Sequence, residues 1–148
     1  MILYREGLAM VEIIAGEKGK GKTKVLLEKV NADVKTAHGS IVYLDKSQKH
    51  MYELDKNVRL INVTEFPVET SEEFFGFLCV IVSQDHDLEK MYLDSFLTIA
   101  NLSDDKLSYA MEKLDIISEK FGVVFVLSIS KDEQDLPECV KAKISVAL

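Results

Sequence analysis

Apolar positions along the chain fall into two rhythms that take turns. Short runs rich in β-branched residues, the mark of buried strands, recur at residues 10–15, 41–44, 58–63, 90–93 and 123–129. Between them, apolar residues spaced three and four apart predict helices. Residues 22–30 place Leu26, Leu27 and Val30 on one side, with Asn31 as the expected stop. Thr70-Ser71-Glu72-Glu73 matches a capping box just after Pro67, so a helix should open there and run towards Ser83. A strand over residues 78–82 is the competing reading, which the cap and the length of the apolar stretch disfavour. Ser103-Asp104-Asp105 should cap a long helix carrying Leu107, Ala110, Met111, Leu114, Ile117 and Phe121 on one face, ended by Gly122. Pro137 suits the first turn of a short helix reaching about Lys143, and residues 144–148 read as a last strand or a tail.

Strands alternating with helices imply right-handed crossovers and a mostly parallel sheet with helices on both faces, a three-layer α/β domain. The nearly continuous apolar run at 123–129 predicts a central strand covered on both sides. Residues 1–9 lack periodicity and read as an N-terminal extension or an edge strand; residues 10–148 form the domain. The 148 residues, 47% hydrophobic and 29% charged, suit one domain able to bury a core without disulfide or metal. Cys79 and Cys139 are therefore expected to be reduced thiols, the first a buried small hydrophobe and the second at the surface. No apolar run approaches a membrane span and no secretory pattern is evident, so the expected location is the cytoplasm.

The net charge of -7 argues against non-specific attraction to nucleic acid or to an anionic membrane. One stretch opposes that trend: residues 16–24 hold Lys18, Lys20, Lys22 and Lys24 against Glu17 alone, a net charge of +3. Within it, Gly16-Glu17-Lys18-Gly19-Lys20-Gly21-Lys22-Thr23 fits the phosphate-binding pattern G-x-x-x-x-G-K-[ST], placed between a predicted strand and a predicted helix. Glycines let the backbone turn tightly, and amides from about Gly19 to Lys24 should form an anion nest at a helix N-terminus. Lys22 supplies a point charge for the β- and γ-phosphates, and the Thr23 hydroxyl a ligand for Mg²⁺.

In these residues the chain resembles the P-loop nucleoside triphosphatases. The resemblance implies a second element, an apolar strand ending in an aspartate that orients Mg²⁺. Met91-Tyr92-Leu93-Asp94 looks like that element, with Asp85 after residues 80–82 as the competitor. The layout over residues 10–140 is also similar to small single-domain bacterial P-loop proteins often labelled twitching-motility or pilus-retraction ATPases. That likeness includes the loop and Phe74-Phe75-Gly76-Phe77. The sensor domain, arginine fingers and acidic and histidine boxes of retraction motors are not expected in this chain, so the likeness implies nucleotide binding and not motility.

Arginine is scarce, with only Arg5 and Arg59, whereas small nucleotide kinases clamp two phosphorylated substrates with several arginines. Ser130-Lys131-Asp132-Glu133 does not fit the guanine-reading signature of signalling GTPases, which leaves ATP as the expected nucleotide. Hydrolysis needs a carboxylate to position water. Residue 95 is Ser, so Asp45 and Glu65, each just past a strand, are the candidates, and Ser128 or Ser130 could sense the γ-phosphate. His38, His50 and His86 lack metal-ligand spacing, and Asp85-His86-Asp87 reads as a solvated turn. Phe74, Phe75 and Phe77 read as core.

The expectation is an ATP-binding protein holding Mg²⁺-ATP with Gly16, Gly19, Lys20, Gly21, Lys22, Thr23 and Lys24, and with Thr23 and Asp94 at the metal. It should act as a nucleotide-dependent switch, hydrolysing ATP slowly or when stimulated by an unknown protein partner or by self-association. The rival readings are a small-molecule phosphotransferase with Asp45 or Glu65 as base, and a non-catalytic nucleotide-binding module.

Overall fold

The period-two alternation of the strands becomes two separate faces of one sheet. The computed structural model describes residues 10–148. Strands β1 (Val11–Ala15), β2 (Ser40–Asp45), β3 (Val58–Asn62), β4 (Leu88–Leu93), β5 (Val124–Ile129) and β6 (Ile144–Ala147) lie in the order β3-β2-β4-β5-β1-β6. Every neighbouring pair is parallel. Val11, Ile13, Val42, Leu44, Met91, Leu93, Phe125 and Leu127 point to one face. Ile14, Ile41, Tyr43, Tyr92 and Val126 point to the other.

Helix α1 (Lys22–Thr36) covers the second face with Leu26, Leu27 and Val30. The first face is covered by α2 (Ser71–Gln84), α3 (Phe96–Ile99), α4 (Leu107–Phe121) and α5 (Glu138–Lys141). The result is a three-layer α/β fold, whose central strands have no face left for water. From β1 the chain crosses the α1 face to β2 and β3, then returns over the opposite face through β4 and β5 to β6. Neighbours β1 and β5 thus send their following connections to opposite faces. In an open parallel sheet such a reversal leaves a crevice at the carboxyl ends of the strands.

Local signals account for most element ends. The Thr70 hydroxyl accepts from the Glu73 N–H, and the Glu73 carboxylate accepts from the Thr70 N–H, a complete capping box that opens α2. The segment 78–82 is accordingly helix, not strand. Gly122 ends α4 with φ 70° in the left-handed region.

Four expectations are corrected. Helix α1 does not stop at Asn31 but continues to Thr36, because the Asn31 side chain bonds outward to the following connection. Ser103 does not cap α4 directly: its hydroxyl bonds the Asp105 carboxylate, and a single 3-10 turn, Asp104–Lys106, precedes the helix. Pro137 precedes α5 instead of sitting in its first turn, and the helix ends at Lys141. Cys79 is half-buried against the core, while Cys139 is exposed; both are free thiols. Residues 144–147 form a parallel edge strand on β1, with a register irregularity between Ile13 and Ile14, and Phe74 and Phe75 are core residues with Phe77 packed partly against them. The stretch 1–9 lies outside the described residues. No helix among the described residues is long and apolar enough to cross a membrane.

The start of β2 is clamped to that of β4 at Gly39. The Ser40 N–H donates to the Asp87 carbonyl at 2.8 Å, and the Glu89 carboxylate accepts from the N–H groups of His38 and Gly39 at 2.9 and 2.8 Å. A β-carbon on Gly39 would lie 1.9 Å from the Asp87 carbonyl oxygen. Gly39→Ala is therefore expected to lower stability by about 1–3 kcal/mol, seen as a lower urea midpoint with an unchanged slope.

Candidate functional site

All six strands run the same way, so the carboxyl ends of β1, β2, β4 and β5 meet at one edge of the sheet. Four sequence features arrive there together: the glycine-rich loop after β1, Asp45 at the end of β2, Asp94 after β4 and Ser128 near the end of β5.

The loop owes its shape to Gly19 at φ 88° and Gly21 at φ 92°, left-handed conformations that side chains disfavour. Gly16 is bound at the base, its N–H donating to the Ile129 carbonyl at 3.3 Å. The chain end crosses beside it, Leu148 N–H donating to the Ala15 carbonyl at 2.8 Å. The loop curls over Lys22, whose Nζ donates to the Glu17 carbonyl at 3.0 Å. Lys22 is buried, and burial pushes its ammonium below the ordinary lysine range while the negative charge of Asp94 pulls the other way. Lys18, Lys20 and Lys24 stand exposed around it. Among the described residues, the N–H groups of Gly19, Gly21, Lys22, Thr23 and Lys24 meet no acceptor. A run of amides without acceptors among the described residues, at the start of a 15-residue helix and beside a buried lysine, is chemistry that favours an anion.

Asp94 is 2% exposed, and hydroxyls from three other elements hold its carboxylate. Ser128 Oγ donates to Oδ1 at 2.7 Å, Thr23 Oγ1 to Oδ1 at 3.3 Å, and Tyr43 Oη to Oδ2 at 2.8 Å. A buried carboxylate without such donors would be costly, and charge-assisted bonds offset that cost. The Thr23 contact is the longest of the three, and it joins the loop helix to Asp94 across the intervening strand β5. After Asp94 the chain turns sharply at Ser95, φ 53°, a conformation costing roughly 1–2 kcal/mol for a residue with a side chain. The Ser95 N–H donates to Ser128 Oγ at 2.8 Å, which ties that strained turn into the same network. Burial, followed by the charge of Asp94, raises the Tyr43 phenol far above its usual range, so it remains a donor.

Asp45 and Asp94 each follow one member of the pair Leu44–Leu93, and the Asp94 N–H donates to the Leu44 carbonyl at 3.0 Å. Its Oδ1 accepts from the Lys46 N–H at 2.7 Å, while its buried Oδ2 meets no partner among the described residues. Burial holds this carboxyl above the ordinary aspartate range, the Lys46 N–H opposes, and Asp94 adds to the rise.

Glu65 is not brought to the cluster. It is exposed in the turn after β3, two strands from β4, and accepts from Gln48 Nε2 at 2.7 Å. Asp85 is excluded as the alternative to Asp94: it follows a helix and accepts from Arg59 at 2.8 Å. Ser128 supports Asp94 and Ser95, and Ser130 is exposed beyond the strand. The sequence reading missed Tyr43, which looks like any apolar residue of β2; only the pairing of β2 with β4 reveals what its hydroxyl meets.

Among the described residues no three histidine, cysteine or acidic side chains gather as a metal cage. What Thr23 and Asp94 offer is one hydroxyl and one carboxylate, hard oxygen donors of the kind that suit Mg²⁺ shared with phosphate oxygens and water. The donor chemistry of these two oxygens therefore fits that ion.

Asp45 has a defined effect on stability. Its folded-state pKa lies above the unfolded value of 3.8, so the folded protein holds the proton more tightly. Stability then falls as pH rises towards and through the folded pKa, and the penalty vanishes well below 3.8. Asp45→Asn can keep the Lys46 bond, and is expected to raise Tm over wild type at about pH 8, with the gap closing at about pH 4.

Compared with known proteins, the sequence matches no protein-family model and no curated protein.

Proposed function

We propose that this protein binds a Mg²⁺-nucleoside triphosphate, with ATP the expected ligand, and hydrolyses it slowly to switch an interaction. The observation that carries this reading is the presence, at one edge of the sheet, of five amides without acceptors among the described residues, the Lys22 ammonium and the Thr23–Asp94 oxygen pair. The amides of Gly19, Gly21, Lys22, Thr23 and Lys24 would bind phosphate oxygens, the Lys20 N–H being given to the Glu17 carbonyl at 3.3 Å, and Lys22 would exchange its Glu17 carbonyl for them. Thr23 and Asp94 would hold Mg²⁺, which when bound supplies positive charge against the developing negative charge of the transferring phosphoryl group.

For hydrolysis, Asp45 is better placed than Glu65 to orient water and accept its proton. It is buried beside Asp94 with one oxygen unengaged, and a carboxyl above its ordinary range is the stronger base. Turnover should be slow. Arg59, the one arginine among the described residues, is exposed and engaged by Asp85. A phosphoryl transition state gains about 10³ to 10⁵ in rate from an arginine finger, so stimulation falls to a partner or a second copy.

Calorimetric titration with Mg²⁺-ATP tests the reading. Wild type is expected to bind, and Lys22→Ala to lose affinity on the order of a hundredfold, as befits removal of a buried charge-assisted donor. Equal affinity in the two proteins would discard it.

A further inference from the structure

The phosphate reading leaves the rest of the ligand without a place. A cavity of about 340 Å³ continues from the loop along the outer flank of α1. Its floor is a helical stripe, Thr23, Lys24, Leu27, Glu28 and Asn31, and its opposite wall is His50 and Glu53 from the β2–β3 connection. That size lies at the lower end of small-ligand sites, and the stripe covers about 12 Å along the helix axis. We infer that this groove seats the nucleoside of the same nucleotide whose phosphates the loop holds, an inference that rests on the nucleotide-binding reading.

Three features argue for that occupant. First, the groove starts at Thr23 and Lys24, whose amides belong to the free run at the α1 N-terminus, so phosphate and groove sites are continuous. Second, the wall chemistry suits a neutral, hydroxyl-bearing group and not another phosphate. Glu28 and Glu53 outnumber the single ammonium of Lys24; carboxylates accept from ribose hydroxyls and repel phosphate oxygens. Leu27 adds an apolar surface, and the His50 ring can lie against a base.

Third, the groove is already built. Asn31 Nδ2 donates to the Glu53 carbonyl at 2.8 Å, and its Oδ1 accepts from the Asp55 N–H at 2.8 Å, which fixes the far end. His50 Nδ1 lies 3.1 Å from Glu53 Oε1, which orients the ring. A preformed groove lowers the ordering cost of the ligand it receives.

The experiment compares Mg²⁺-ATP with Mg²⁺-tripolyphosphate, which has the phosphates without the nucleoside, by calorimetry on the full chain. Wild type is expected to bind Mg²⁺-ATP at least about tenfold more tightly than Mg²⁺-tripolyphosphate. Glu28→Trp, which fills the groove from an exposed position, and His50→Ala, which removes its wall, are each expected to erase most of that preference. Tripolyphosphate affinity should remain at the wild-type level in both, which also reports that each variant is folded. Equal affinities for the two ligands in wild type, or variants that keep the ATP preference, would overturn the nucleoside site and leave the phosphate site standing. Failure of wild type to bind either ligand would bring down the phosphate reading, and the groove assignment with it.

Discussion

The site depends on one buried carboxylate. Asp94 stands at the end of β4 in a place where a charge without partners would be expelled, and hydroxyls from α1, β2 and β5 keep it there. Each donor comes from a different element, so the same three bonds that satisfy the charge also join the loop helix to the sheet. The glycine-rich loop is thus held at both ends: by the main-chain bond from Gly16 to Ile129 of β5 at its base, and by the Thr23–Asp94 contact where it enters α1. Between those anchors, with Gly19 and Gly21 left-handed, the amides other than that of Lys20 meet no acceptor among the described residues.

Three local costs gather in this cluster. Lys22 is partly stripped of water, Asp45 leaves a buried oxygen unbonded, and Ser95 occupies a left-handed conformation. None of these stabilises the fold, and all three sit within the same edge of the sheet. The core elsewhere shows ordinary packing, with both faces of β2, β4 and β5 covered by apolar side chains. Glu12 Oε2 on β1 and Asn101 at φ 54° are further local costs outside these three residues.

The charge distribution follows the same division. An acidic protein carries its lysine-rich segment where a parallel sheet and a helix N-terminus already favour anions. Beside it, the groove along α1 turns acidic at Glu28 and Glu53. A ligand with a charged tail and a neutral, hydroxylated body matches that sequence of potentials better than a uniformly anionic one.

The α/β class, the helix cap at Thr70 and the stop at Gly122 were legible in the sequence because they follow from local periodicity and backbone preference. The loop pattern was legible for the same reason: glycine spacing constrains the backbone within a few residues. Helix α1 ran past Asn31 because that side chain found partners at Glu53 and Asp55, distant in sequence, which no local rule reports. Asp45 and Glu65 looked alike, each an acid just past a strand; the strand order buried one beside Asp94 and left the other at the rim. Tyr43 carried no signal at all. Local chemistry along the chain determines which segments turn, coil or extend, whereas the partner of a side chain depends on which strands become neighbours. That choice is made by packing two faces of the sheet at once, and only the folded structure holds it.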